Sequence, residues 1–214
     1  YRLNDESSLS VGITRAGRTP SVEELFANVD NNTCQRAADN EDLVLHAATS
    51  LLEIGNADLE PETSTNFEVG YRRSVGQVTG EISAYLNSVD DYIFLNVTGD
   101  EFEEQLIGEF TARDAEFIGV EAKVNITVYE SDVFGVNLSF FGDAVDAEFD
   151  QGGKVPRIPS SKIGTELEFY GERWTVHLHG TKVYEQDDID EFELKTDGYE
   201  LVSVYADYHW DLGK

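Results

Sequence analysis

The spacing of its apolar residues constrains this chain more than anything else. From Gln77 onward nearly every segment alternates apolar and polar side chains at period two. Val78, Gly80, Ile82, Ala84 and Leu86 interleave with Gln77, Thr79, Glu81, Ser83, Tyr85 and Asn87. Ile118, Val120, Ala122, Val124, Ile126 and Val128 interleave in the same way with Gly119, Glu121, Lys123, Asn125, Thr127 and Tyr129. Successive strand side chains point to opposite faces, so each segment has one oily face and one wet face.

Eight main strands are predicted on this basis: Ser8–Arg15, Ser64–Arg73, Gln77–Asn87, Glu116–Tyr129, Val133–Val145, Lys162–Tyr170, Trp174–Tyr184 and Tyr199–Trp210. Tight turns at Ser74–Gly76, Glu130–Asp132 and Gly171–Glu172 join the second to the third, the fourth to the fifth and the sixth to the seventh. The other connections are long and polar. The first runs from Ala16 to Glu62, with a short helical turn predicted at Val22–Phe26, and loops of that length in a compact domain are usually functional. A second, Ser88–Arg113, is predicted to carry its own hairpin of Tyr92–Val97 against Gln105–Thr111. The two prolines of Val155-Pro156-Arg157-Ile158-Pro159 keep that segment out of a central strand, because each removes a ladder donor.

Short turns on one rim and long loops on the other are the pattern of an outer-membrane β-barrel. A soluble antiparallel sheet also alternates, its apolar face packed on a core. Three features favour the barrel: no helix is available to cover a sheet, several strands reach ten residues or more where five or six is usual, and aromatics (Tyr71, Tyr129, Phe169, Tyr170, Trp174, Tyr208, Trp210) gather near strand ends. The fold class expected is all-β, an antiparallel up-and-down meander forming part of a transmembrane barrel. Ile82, Val120, Val124, Leu138, Leu167, Val176 and Val204 are expected on its apolar face, with Glu81, Lys123, Asn137, Glu166 and Tyr205 opposite.

Composition narrows the function. The formal net charge is −28, from 43 acidic against 15 basic residues, which argues against nucleic acid, whose binding needs basic surface. The plain reading is a heavily solvated surface; the sharper one is that acidic loops attract cations. The single cysteine, Cys34, cannot form an internal disulfide. No stretch approaches the 18 or so apolar residues of a transmembrane helix. A chain that opens on Tyr1 and contains no Met is read as a piece of a longer, processed precursor. No nucleophile elbow and no phosphate-cradling glycine motif is present, so neither an enzyme nor a cofactor is expected.

The long first connection carries a family resemblance. Arg18-Thr19-Pro20-Ser21-Val22-Glu23-Glu24-Leu25-Phe26 resembles the R-x-P-S-x-x-E-L-F/Y segment of TonB-dependent outer-membrane receptors. His46-Ala47-Ala48-Thr49, followed by Leu52-Glu53-Ile54-Gly55-Asn56 and Leu59-Glu60-Pro61-Glu62 through Gly70, is similar to that family's H-x-A-T and E-I-G-N-x-x-L segments. Asp91-Tyr92-Ile93, Ala115–Glu121, Val155–Pro159 and Thr196–Tyr199 continue the resemblance in order. It implies a 22-stranded barrel around a plug, with TonB contacting a segment N-terminal to this chain. The chain is then expected to supply later wall strands (residues 1–214, with plug and final strands outside it), leaving two open edges.

Candidate contacts follow from that reading. His46 opens the H-x-A-T segment, whose form is most similar to the zinc-uptake branch, and imidazole with carboxylates suits zinc. The acids of the long loops, Asp100, Glu101, Glu103, Glu104, Asp146, Asp150, Asp187 and Asp188, are the candidate substrate contacts. His177, His179 and His209 fall on the polar face; a metal contact there is weighed against the preferred reading of lumen residues hydrogen-bonded to the plug. Glu53, Glu60 and Glu62 are expected to fix the junction of loop and strand. The function expected is active transport: capture of a scarce solute, a metal ion such as zinc or an iron–siderophore chelate, with TonB-supplied energy, in contact with outer-membrane lipid. Rivals are a soluble β-sandwich that binds carbohydrate or protein, and a passive porin. A plug and TonB box upstream would discriminate them.

Overall fold

The computed structural model describes residues 1–30 and 43–210, and Cys34 lies outside them. One sheet dominates. Its strands are β1 (Ser7–Arg18), β2 (Leu52–Ile54), β3 (Glu62–Val75), β4 (Val78–Phe102), β5 (Gln105–Glu130), β6 (Phe134–Phe149), β7 (Lys162–Gly171), β8 (Trp174–Val183) and β9 (Tyr199–Tyr208), and a short helix, α1, spans Val22–Phe26. The order is β1-β3-β4-β5-β6-β7-β8-β9, every neighbouring pair antiparallel. The expected meander is therefore present.

Two details depart from expectation. β2 was not foreseen: three residues pair in parallel with β5, Leu52 beside Ile107 and Ile54 beside Glu109, and a run that short carries no readable period. The separate Tyr92–Val97 hairpin is instead the upper half of β4 and β5, which run 25 and 26 residues. A bulge between Val89 and Tyr92 joins the halves, with Asp91 at φ 57° and its N–H donating to the Asp114 carboxylate at 3.0 Å. A bulge adds a residue to one strand and shifts the alternation out of phase, so one long strand reads as two.

Register places the side chains. Leu9, Tyr71, Ile82 and Ala122 lie side by side across β1, β3, β4 and β5; Ile126, Leu138, Leu167, Leu178 and Val204 do so across β5 to β9. All seven residues expected on the apolar face are on it, and Glu81, Lys123, Asn137, Glu166 and Tyr205 share the other. This apolar face meets no second sheet among the described residues: Ile82 is 49% exposed, Leu178 42% and Val204 65%. A sandwich would bury it, so the sandwich rival is excluded as a packing of this chain. Near the short turns the same face carries Tyr71, Tyr129, Phe134, Phe169, Trp174 and Tyr208, with Tyr129 and Phe134 4.9 Å apart between ring centres. That is the aromatic girdle of a barrel wall.

On the polar face, glycines sit beneath aromatics on the neighbouring strand. Tyr85 lies over Gly119, and a Cβ there would run into the phenol ring. The buried apolar residues are not in the sheet's middle but at its long-loop end. One cluster joins Phe94, Ala115, Ala147, Phe149 and Val155; the other joins Leu52, Ile54 and Ile107. Gly152 and Gly153, at φ 87° and 100°, turn the chain so that Val155 donates to Ala147 O at 3.1 Å and plugs the first cluster. The packed core therefore exists to hold the loops.

Candidate functional site

The long-loop rim is built around one ion pair. Arg18, at the end of β1, donates from Nε to Glu62 Oε2 and from Nη2 to Glu62 Oε1, both at 2.7 Å, and Nη1 reaches Glu24 at 2.9 and 3.0 Å. Glu24 closes a capping box on α1: Ser21 Oγ accepts from the Glu24 N–H at 3.2 Å, and the Glu24 carboxylate accepts from the Ser21 N–H at 2.6 Å. Such reciprocal bonds satisfy two orphan donors at a helix start. Burial pushes the Glu24 carboxyl up, but the bonds from Arg18 and Ser21 more than offset this and hold it below its ordinary value. Bonds to Glu62 and Glu24 raise the Arg18 guanidinium still further.

α1 in turn seats the returning chain. Gly55 donates to Ala27 O at 2.7 Å and Asn56 to Glu24 O at 2.8 Å. A Cβ on Gly55 would fall 2.5 Å from Phe26 N, so only glycine lets the two backbones approach this closely. The R-x-P-S-x-x-E and E-I-G-N segments are thus two halves of one joint. Of the three glutamates expected to fix it, Glu53 and Glu62 are buried and bonded, while Glu60 is exposed.

His46 stands on this joint. Its Nδ1 lies 3.1 Å from Thr49 Oγ1 and 3.2 Å from Glu53 Oε1, and its Nε2 lies 3.4 Å from Glu23 Oε1. Thr49 donates to Glu53 at 2.6 Å. The imidazole is 40% exposed and the Glu53 side chain 6%, so a surface ring faces one buried and one open carboxylate. Asn28, at φ 50°, fastens the loop from behind: its amide donates to Val44 O and Glu53 O and accepts from the Val44 N–H, at 3.0, 2.9 and 2.8 Å. Glu23, His46 and Glu53 hold their ligand atoms within 4.8 Å of one another. That combination can bind a borderline cation such as zinc.

The predicted loop acids are not gathered at His46. Asp100, Glu101, Glu103 and Glu104 occupy the tip of the β4–β5 hairpin, where Glu103 and Glu104 take φ of 49° and 67° in the turn. They are exposed and make no ion pair among the described residues. Asp146 and Asp188 meet elsewhere, around Lys154, whose Nζ lies 2.9 Å from Asp146, 2.8 Å from Glu148 and 2.7 Å from Asp188. These contacts, led by Asp188, raise the lysine above its ordinary value. Asp187 is 3.9 Å from Lys195, and Asp150 is exposed beyond β6. Lys154, Glu23, Thr49 and Asn28 were not singled out from the sequence. Lys154 stands alone among glycines and Val155, Glu23 beside Glu24 in a short helix, and what each one meets depends on how the loops pack.

A single wall of antiparallel neighbours, oily and exposed on one face, with its packed core and charge at one rim, defines part of a β-barrel. The chain belongs to the TonB-dependent receptor family: the family model described as TonB dependent receptor-like, beta-barrel, matches residues 1–213. Its fold is similar to that of the copper transporter OprC (18% identity, 98% of this chain and 30% of that one, TM-score 0.72). It is also similar to the siderophore receptor PirA from Pseudomonas aeruginosa (16% identity, 98% and 35% covered, TM-score 0.61). The FrpB iron transporter from Neisseria meningitidis, F3-3 variant, shares the fold at 14% identity, with 100% and 30% covered and a TM-score of 0.55. The chain spans about a third of the length of each.

Proposed function

We propose that this chain is wall and outer rim of an outer-membrane transport receptor that captures a scarce solute, a metal ion or a metal chelate, and passes it inward with energy supplied through TonB. The observation that carries this is the exposed apolar face running unbroken across the wall of a chain in this family. In a barrel wall such a face is the one that meets lipid. The remaining design follows: among the described residues, the loops long enough to close over a solute stand on one rim, and they hold much of the excess negative charge. A cation is drawn to such a rim by a field of several kT.

The hairpin tip, Asp100, Glu101, Glu103 and Glu104, supplies the unpaired carboxylates for first capture, with Asp150 beside β6. Asp146, Asp187 and Asp188 serve once their lysines are displaced. His46, with Glu23 and Glu53, is the metal contact best organised to replace water. Zinc is favoured by that donor set. An iron–siderophore remains the competing solute, since siderophore receptors share the fold.

The test is binding and growth with the full-length receptor. In a deletion strain under zinc limitation, the wild-type gene should restore growth and H46A should restore it poorly. Unaltered zinc-limited growth together with lost iron-chelate uptake would transfer the assignment to the siderophore class. H46A with full zinc uptake would leave His46 as a brace of the loop alone.

A further inference from the structure

We propose a second metal site, away from the rim, on the polar face of β7 and β8: a two-by-two array of Glu166, Glu168, His177 and His179 that binds one divalent transition-metal ion of the zinc or copper(II) class. Strand register produces the array directly. Glu168 pairs with His177 and Glu166 with His179, so two carboxylates spaced i, i+2 face two imidazoles spaced i, i+2. Alternation puts all four on one face. Ligand atoms of Glu166, Glu168 and His177 lie within 4.8 Å of one another. Zinc bonds of roughly 2.0–2.2 Å set tetrahedral donor separations near about 3.4 Å, a closure that side-chain torsions supply without moving the backbone.

The contacts between the imidazoles and Glu166 are long, and only the one at His177 is a hydrogen bond. Glu166 Oε1 is 3.4 Å from His177 Nδ1, and Glu166 Oε2 is 3.6 Å from His179 Nδ1. Both exceed the 2.7–3.2 Å of a good N–H···O bond. His179 has its other nitrogen, Nε2, 2.8 Å from Thr181 Oγ1. In the tautomer whose Nε2–H donates to that hydroxyl, the Nδ1 lone pair points at Glu166 and is free to take a cation held by the same carboxylate.

The supporting shell is in place as well. Metal-bound histidines usually donate their second N–H to an outer partner that fixes tautomer and ring plane, the part Thr181 plays for His179. His177 is held by Tyr205 of β9, stacked at 4.2 Å and 13° between ring planes. Asn137 Nδ2 donates to Glu168 at 3.2 Å, and the Phe141 ring lies 5.3 Å from that of His179. Imidazole and carboxylate together suit zinc, copper or nickel over magnesium or calcium. The array stands on β7 and β8 alone; only its exposure to the solute path rests on the receptor reading above.

The experiment uses the full-length receptor in detergent, stripped of metal and titrated with Cu²⁺, in a background carrying H46A so that the His46 joint offers no imidazole nitrogen. The H46A protein should take up one Cu²⁺ with nitrogen hyperfine splitting in its EPR spectrum. Adding E166Q or H177A should weaken that binding at least tenfold, and H177A with H179A should remove the nitrogen splitting. Heat-modifiable migration confirms that each variant is a closed barrel, and the near-isosteric E166Q keeps the test alive if H177A does not fold. Cu²⁺ binding that survives E166Q and H177A, or that vanishes with H46A alone, overturns the proposal. Because binding is read on the protein, the outcome is separate from any result of the growth assays.

Discussion

Glu62 receives the Arg18 guanidinium through two contacts of 2.7 Å while the same carboxylate accepts the Ile93 N–H at 2.7 Å. One buried carboxylate thus ties the end of β1 to the upper half of β4. Removing the cation strands a charge among apolar neighbours. R18A should loosen the rim by about 2 kcal/mol, the scale of a lost charged hydrogen bond at a half-exposed donor. R18K should lie between, because lysine keeps the charge but cannot span both oxygens. Faster amide exchange at Leu52–Ile54, with the wall strands unchanged, is the expected signature.

The same joint should respond to acid. The Glu24 carboxyl is held below its ordinary 4.5, so the folded loop binds its proton more weakly than the unfolded one does. Its contribution is present in full above pH 4.5 and is lost as pH falls through the lowered folded value. Proteolysis within residues 18–27 should accelerate on acidification in the wild type and be less pH-dependent in E24Q. An identical acid profile in E24Q would remove Glu24 from the account.

Lys154 gathers Asp146 and Glu148 from the end of β6 and Asp188 from the β8–β9 connection. Each contact alone is worth little at a solvated surface, roughly 0–1 kcal/mol, so K154M should leave the wall intact. It should free the β8–β9 connection from β6, seen as faster exchange across residues 186–196 and as stronger calcium or zinc retention by the three released carboxylates. Unchanged exchange there would mean that Gln186 to Ile158 O (3.0 Å) and Glu193 to Arg157 N (2.6 Å) hold the loops without it.

On the wall, L178R should cost about 2–4 kcal/mol in a lipid-refolded barrel, the price of arginine near mid-membrane. T181R, on the other face, should cost far less. Equal effects, measured by urea unfolding in vesicles, would refute the assignment of lipid and lumen sides.

Beneath Tyr85 there is no room at Gly119. G119V should destabilise by about 1–3 kcal/mol, the usual cost of overpacking, and Y85A should rescue it in the double variant. Such a rescue isolates the cross-strand pair from any general dislike of valine at that position.

Faces, strand order and turns were legible in the sequence because they are local. With an apolar residue at every second position, a one-residue slip would turn oil to water, so the faces of Ile82 and Glu81, or Val124 and Lys123, could be assigned before any coordinates. The bulge at Asp91 hid the continuity of β4 because it shifts that same alternation. What tertiary structure alone decided is which charges meet. Glu62 finds Arg18 across 44 residues, His46 settles between Glu23 and Glu53, and Lys154 intercepts Asp146 and Asp188. Those pairings depend on how the loops fold back over the Phe94 and Leu52 clusters. Coulomb attraction has no period along a chain, so the number of acids in the loops could be read from the sequence, but not which of them remain free to hold a solute.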